Sequence, residues 1–267
     1  MSFPRVNVGD QEISYQRKGK GKPLVCVHGI AGHERTFDGL LPYFCPAFDV
    51  FQLAWPGYGE APLRGRYYTI DDQVRWIEDF RAHFGFEKMY LMGNCIGANV
   101  AMEYAYKYPE RLDFLIINEP HAFMPAYFYL LLYPVVKEIL WKSLFKTRLG
   151  RSIIMRAFPL EEVGEGSGYT ERRLKKVPTQ VMEAYLRSMY LYSRSTDLLK
   201  RPNIKVPSLF PIPKETFGQV AEFVNRYGNC FESLKLLRVK GAVHNPVVED
   251  AEAFARAVLP ELGIKGL

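Results

Sequence analysis

One cysteine stands between two glycines in the run Met89-Tyr90-Leu91-Met92-Gly93-Asn94-Cys95-Ile96-Gly97-Ala98. The residues before it form a short apolar strand, and an amphipathic helical pattern begins directly after it, so Cys95 falls on a strand-to-helix turn. A turn this sharp strains its central residue and needs small flanks, which Gly93 and Gly97 supply. The side chain at the apex then projects past the sheet edge with a helix N-terminus beneath it. Unpaired N–H groups and a partial positive charge at that end favour a thiolate and a developing oxyanion. The chemistry this allows is attack of sulfur on an acyl carbon. A free thiol titrates near ~8.5, so an adjacent imidazole has less to do than it would for a hydroxyl. A buried cysteine in a glycine-flanked turn would read the same way in isolation, so the surrounding elements decide.

Those elements alternate. Strand-like runs occur at Arg5–Val8, Glu12–Arg17, Leu24–Val27, Val50–Leu53, Met89–Met92 and Phe114–Asn118, with helical patterns at Ile70–Phe84 and Ile96–Tyr108. The basic run Lys18-Gly19-Lys20-Gly21-Lys22-Pro23 reads as a solvated hairpin connection. Short apolar runs alternating with longer helices predict a mostly parallel, twisted sheet flanked by helices, an α/β fold. From 121 to 203 no buried strand is legible and aromatic-rich helical patterns take over. Alternation resumes with a strand at Ser208–Ile212, a helix around Gln219–Tyr227, a strand at Leu234–Val239 and a closing helix over Glu249–Leu262. The organisation expected is a core of residues 1–120 and 204–267 interrupted by a helical cap, 121–203. Within it, Gly164-Glu165-Gly166-Ser167-Gly168 reads as a joint between helices, since no strand precedes it as a phosphate loop requires.

Three further segments bear on the cysteine: His28-Gly29-Ile30-Ala31-Gly32, Trp55-Pro56-Gly57-Tyr58-Gly59 and Gly241-Ala242-Val243-His244-Asn245-Pro246. With Gly93-Asn94-Cys95-Ile96-Gly97 as a nucleophile elbow, their order and spacing resemble the α/β-hydrolase superfamily across the whole chain except the insertion. The resemblance implies a cofactor-independent enzyme with Cys95 as nucleophile, His244 as the catalytic histidine, and the N–H groups of Ile30 and Ile96 as oxyanion donors. His28 is usually structural in such proteins. The acid is open. The usual position, in Pro207-Ser208-Leu209-Phe210-Pro211-Ile212-Pro213-Lys214-Glu215-Thr216, lacks both Asp and Gly, and its one carboxylate is Glu215. Glu119, at the end of the sixth strand, is favoured over it, because some relatives carry their acid there. In the cap, Phe123, Tyr127, Tyr129 and Trp141 are expected to line a hydrophobic acyl pocket, with His121 reaching the site.

The 267 residues carry a formal charge of +6, and the four cysteines form no CxxC pair. Composition is ordinary for a globular protein, and neither a disulfide framework nor a metal site is expected. Without a basic head and apolar core at the N-terminus, the expected location is cytoplasmic. Between His121 and Arg201 stand 14 Lys/Arg and 7 Asp/Glu, a net of +7 that leaves the remainder at −1. That distribution argues against nucleic-acid binding and favours a local attraction of the cap to anionic lipid or an acidic carrier. The expected reaction is cleavage or transfer of a hydrophobic ester, lactone or thioester through a thioester acyl-enzyme. Two rival readings remain: a non-catalytic ligand-binding or interaction protein on the same fold, suggested by the missing Asp, and a C–C bond hydrolase, suited to an aromatic cap.

Overall fold

The computed structural model of the protein describes residues 2–30, 32–65, 68–121, 130–134, 136–157, 175, 177–194, 202–213, 218–240 and 245–264. An eight-stranded sheet runs through them: β1 (Arg5–Val8), β2 (Gln11–Gly19), β3 (Lys22–Val27), β4 (Phe48–Ala54), β5 (Met89–Asn94), β6 (Leu112–Asn118), β7 (Ser208–Ile212) and β8 (Leu234–Arg238). The strand order is β1-β2-β4-β3-β5-β6-β7-β8. β2 pairs antiparallel with both β1 and β4, and every other pairing is parallel.

The two-residue period of the strands divides the core. Val25, Val27 and Leu91 point to one face, against Val74, Ile77 and Phe80 of helix α1 (Ile70–His83) and Val100 and Tyr104 of helix α2 (Ile96–Lys107). Their neighbours Leu24, Cys26, Tyr90 and Met92 point to the other face, which Phe254 and Val258 cover. Each buried Val, Leu, Ile, Phe or Met among them contributes roughly 1.5–3 kcal/mol by leaving water. Helix α1 starts where Thr69 and Asp72 form a reciprocal capping box, each side chain bonding the other's backbone N–H.

Two expectations need correcting. The basic run after β2 is exposed, yet it is not a hairpin connection: β2 and β3 do not pair, because β4 lies between them. β4 is buried along its whole length and takes a partner on each side. The turn therefore crosses the start of β4, where a Cβ on Gly19 or Gly21 would overlap the Phe48 or Ala47 carbonyl. The closing helix begins later than expected, at Ala251, because Asp250 caps it by accepting from the Ala253 N–H, while Pro246–Glu249 forms a separate short helix.

Between β6 and β7 the described elements are helical, including α3 (Arg148–Ala157) and α4 (Thr179–Arg194). Part of the basic excess here is committed internally: Lys137 and Arg187 both bind the buried Glu183 carboxylate, at 2.9 and 3.0 Å. No helix among the described residues is long and apolar enough to cross a membrane.

Candidate functional site

Cys95 joins β5 to α2 with φ +59° and ψ −129°. Among the described residues, only it and Glu119 (φ +51°) hold a positive φ without being glycine. They sit one residue past the ends of adjacent strands, so backbone strain is concentrated at one stretch of the sheet's carboxyl edge. The glycine flanks are required by close approach. A Cβ on Gly93 would overlap the Gly97 carbonyl and Ala98, and one on Gly97 would overlap the Val27 carbonyl. Gly29 lies against Cys95 itself, where a Cβ would collide with the cysteine side chain.

Among the described residues, three groups bond the sulfur or lie within reach of it. His121 Nε2 is 2.8 Å from Sγ, Tyr185 Oη from α4 is 3.7 Å away, and the Ile30 N–H bonds the sulfur from the loop after β3. His121 arrives there because β6 ends at Asn118 and the left-handed Glu119 turns the chain back toward β5. Asn99, fully buried one turn into α2, then clamps it: Oδ1 accepts from the His121 N–H at 3.0 Å and Nδ2 donates to its carbonyl at 2.9 Å. Burial alone would push the Cys95 thiol up. The charge and hydrogen bond of His121, with hydrogen bonds from Tyr185 and Ile30, outweigh burial and bring it down to about 7. The sulfur thus titrates near neutrality within hydrogen-bond reach of an imidazole nitrogen.

Ile96 opens α2, where the first N–H groups lack intrahelical partners. His28 lies under the loop: its Nδ1 bonds the Gly29 carbonyl at 2.6 Å, and its Nε2 accepts from the Trp55 N–H at 3.1 Å. Burial lowers its pKa to about 4, so it stays neutral and holds Ile30 in place. Asn118 Nδ2 donates to Asn94 Oδ1 at 2.6 Å and to Asn245 Oδ1 at 3.0 Å, tying the ends of β5 and β6 to the residue that follows His244. His244, Glu215, Phe123, Tyr127 and Tyr129 lie outside the described residues. Trp141 is buried against Phe145, with ring centroids 4.7 Å apart and its indole N–H on the Leu131 carbonyl at 3.0 Å. Among the described residues it packs within the insertion, and no contact brings it to the sulfur. Asn99 and Tyr185 were not singled out as site residues by the sequence. Spacing could have flagged Asn99, since position 99 faces back toward the elbow one helical turn after Cys95.

Glu119 is buried, and its Oε1 has no hydrogen-bond partner among the described residues. Burial raises its pKa to about 8; His121 opposes this, while Cys95 and Glu249 add to it. The folded chain therefore holds a proton that the unfolded chain releases above its ordinary carboxyl value. The associated stability is fully present below about 4.5 and is lost as pH rises through about 8. Glu119→Gln mimics the protonated form, so its melting temperature relative to the parent should rise between pH 5 and about pH 8 and level off above. A difference that stays constant with pH contradicts the raised value.

Residues 22–146 match the family model described as alpha/beta hydrolase fold. The chain is 31% identical over 104 residues to pimeloyl-[acyl-carrier protein] methyl ester esterase of Aeromonas hydrophila subsp. hydrophila, a match covering 39% of this chain and 40% of that protein. It is 26% identical over 116 residues to 2-hydroxy-6-oxo-6-(2'-aminophenyl)hexa-2,4-dienoic acid hydrolase of Metapseudomonas resinovorans, covering 42% and 40%. The chain thus spans less than half the length of these curated relatives. A solved thermophilic esterase from Thermogutta terrifontis superposes with a TM-score of 0.75 at 20% identity, covering 98% of both chains, a likeness of fold.

Proposed function

We propose, from the premise that this chain has the α/β-hydrolase fold, that it is a thiol-dependent acyl hydrolase or acyltransferase acting on esters, lactones or thioesters. The observation that carries this reading is the 2.8 Å approach of His121 Nε2 to Cys95 Sγ with the Ile30 N–H on the same sulfur. Cys95 thiolate adds to the acyl carbon, and the carbonyl π pair moves onto oxygen, where the N–H groups of Ile30 and Ile96 receive it. Collapse restores the carbonyl and breaks the bond to the leaving group, which takes the Nε2 proton of the His121 imidazolium. A thioester on Cys95 and a neutral imidazole remain. Water or another nucleophile then gives up a proton to imidazole as it attacks, and the second collapse returns Cys95 as thiolate.

His244, which matches the superfamily's catalytic histidine, is assigned as the first acceptor of that proton, which passes on to His121 and restores the imidazolium. Glu119 enters as a neutral acid at pH 7 and as an anion above about 8, so it is not a fixed anionic partner. The helical insertion acts as the cap over this site, and its basic excess supports substrates carried on an anionic surface. The match to a named dienoic acid hydrolase supports C–C bond cleavage as a second reading.

Intact mass after brief mixing with 4-nitrophenyl pentanoate tests the proposal. One pentanoyl group is expected on the protein, lost in Cys95→Ala. Cleavage of a 2-hydroxy-6-oxo-dienoic acid without turnover of the ester favours the second reading, and neither adduct nor any turnover favours a ligand-binding protein.

A further inference from the structure

Two tyrosines of the core loops, Tyr58 and Tyr68, meet α4 within residues 182–188, the stretch whose Tyr185 reaches Cys95. Tyr185, on α4, reaches the sulfur at 3.7 Å and packs edge-on against Tyr58, with ring centroids 6.0 Å apart. Tyr58 Oη spends its proton on the Met182 thioether at 3.4 Å, a weak acceptor. Among the described residues Tyr68 Oη has no hydrogen-bond partner, and the residue is only 4% exposed. The Tyr68 backbone is fixed to α4, since its carbonyl accepts from Ser188 Oγ at 2.8 Å, and its ring lies on Trp76. Burial raises the pKa of all three well above the ordinary phenol value, and Tyr68 raises Tyr58 and Tyr185 further. At neutral pH each is therefore a donor. Buried polar groups in folded proteins are nearly always paired. Here, among the described residues, one donor is unpaired and two are spent on sulfur, one of them on the nucleophile itself.

We propose that the Tyr58, Tyr68 and Tyr185 hydroxyls form a subsite for an oxygen acceptor, ketone or carboxylate, carried on the acyl group of the substrate. This rests on the thiol-dependent acyl chemistry proposed above and narrows its substrate class. A plain alkyl chain entering this corner leaves the donors unpaired, whereas an oxygenated chain satisfies them. Discrimination of this kind exceeds what an added methylene gives in an apolar pocket.

The test compares kcat/KM for 4-nitrophenyl pentanoate, 4-nitrophenyl 4-oxopentanoate and mono(4-nitrophenyl) glutarate, with spontaneous hydrolysis subtracted. At least one oxygenated ester should exceed pentanoate by about tenfold or more, and the ketone and carboxylate arms tell which acceptor is taken. Tyr68→Phe should bring the ratio close to one. Tyr227→Phe, which removes another buried unpartnered hydroxyl away from Cys95, should leave it unchanged. A second readout needs no turnover: 4-oxopentanoate or glutarate should protect Cys95 from iodoacetamide better than pentanoate, and Tyr68→Phe should remove the difference. Ratios near one with a normal pentanoyl adduct, together with equal protection by all three acids, overturn the subsite alone. Selective protection without any adduct supports the subsite and overturns the acyl chemistry.

Discussion

Replacing His121 with alanine should move the pH midpoint for alkylation of Cys95 by iodoacetamide from about 7 to above the ordinary thiol value. Burial is the largest influence on this sulfur and acts upward; the imidazolium is the main force holding it down, so burial prevails once the ring is gone. The thiolate fraction at pH 7 then falls from about half to on the order of one per cent. The more basic thiolate is also the better nucleophile, so the labelling rate at pH 6 should drop only about tenfold. Asn99→Leu keeps the ring but releases its backbone, and should shift the midpoint in the same direction by less. A purely structural Asn99 would lower the melting temperature and leave the midpoint in place. If His121→Ala still titrates near 7, another cation pairs with the sulfur, and His244 is the next residue to replace.

Cys95→Ala should reduce ester turnover by at least about 10^4-fold, because the covalent step is lost and only binding and the oxyanion donors remain. It should cost little stability, since the elbow is shaped by its glycine flanks and by the Cys95 N–H bond to the Asn118 carbonyl at 2.9 Å, and neither needs sulfur. The companion substitution reads the strain. At φ +59° and ψ −129° a Cβ is disfavoured and glycine is not, so Cys95→Gly should be more stable than Cys95→Ala by about 1 kcal/mol in thermal melts. A glycine variant less stable than the alanine one would mean the elbow carries no such strain.

The elbow was legible because its requirements are local: small flanks, a strand before and a helix after. The parallel core was legible for the same reason, through the alternation of Leu24–Val27, Met89–Met92 and Phe114–Asn118 with helical runs. The insertion of β4 between β2 and β3 was not, because the pairing of Ser14 with Ala54 or Gly19 with Asp49 joins positions far apart in the chain. The partner of the sulfur was only half legible. His121 stood two residues beyond a strand adjacent to the elbow strand, which put it near the site. Its approach to the thiol depends on the left-handed backbone at Glu119 and on the Asn99 clamp, and neither leaves a mark in composition or periodicity. The hydroxyl cluster depends on α4 returning over the core loops, again a long-range contact.

The sulfur and the imidazole beside it both come from one contiguous strand–helix–strand unit, β5-α2-β6 and its immediate continuation. A thiol activated in this way does not wait for the carboxyl-terminal third of the chain. During synthesis the pair can assemble once that unit and its neighbouring strand have left the ribosome, before α4 has been made to lay Tyr185 across it. Tyr185, sixty-four residues beyond His121, is therefore the last of the described groups around the sulfur to be synthesised.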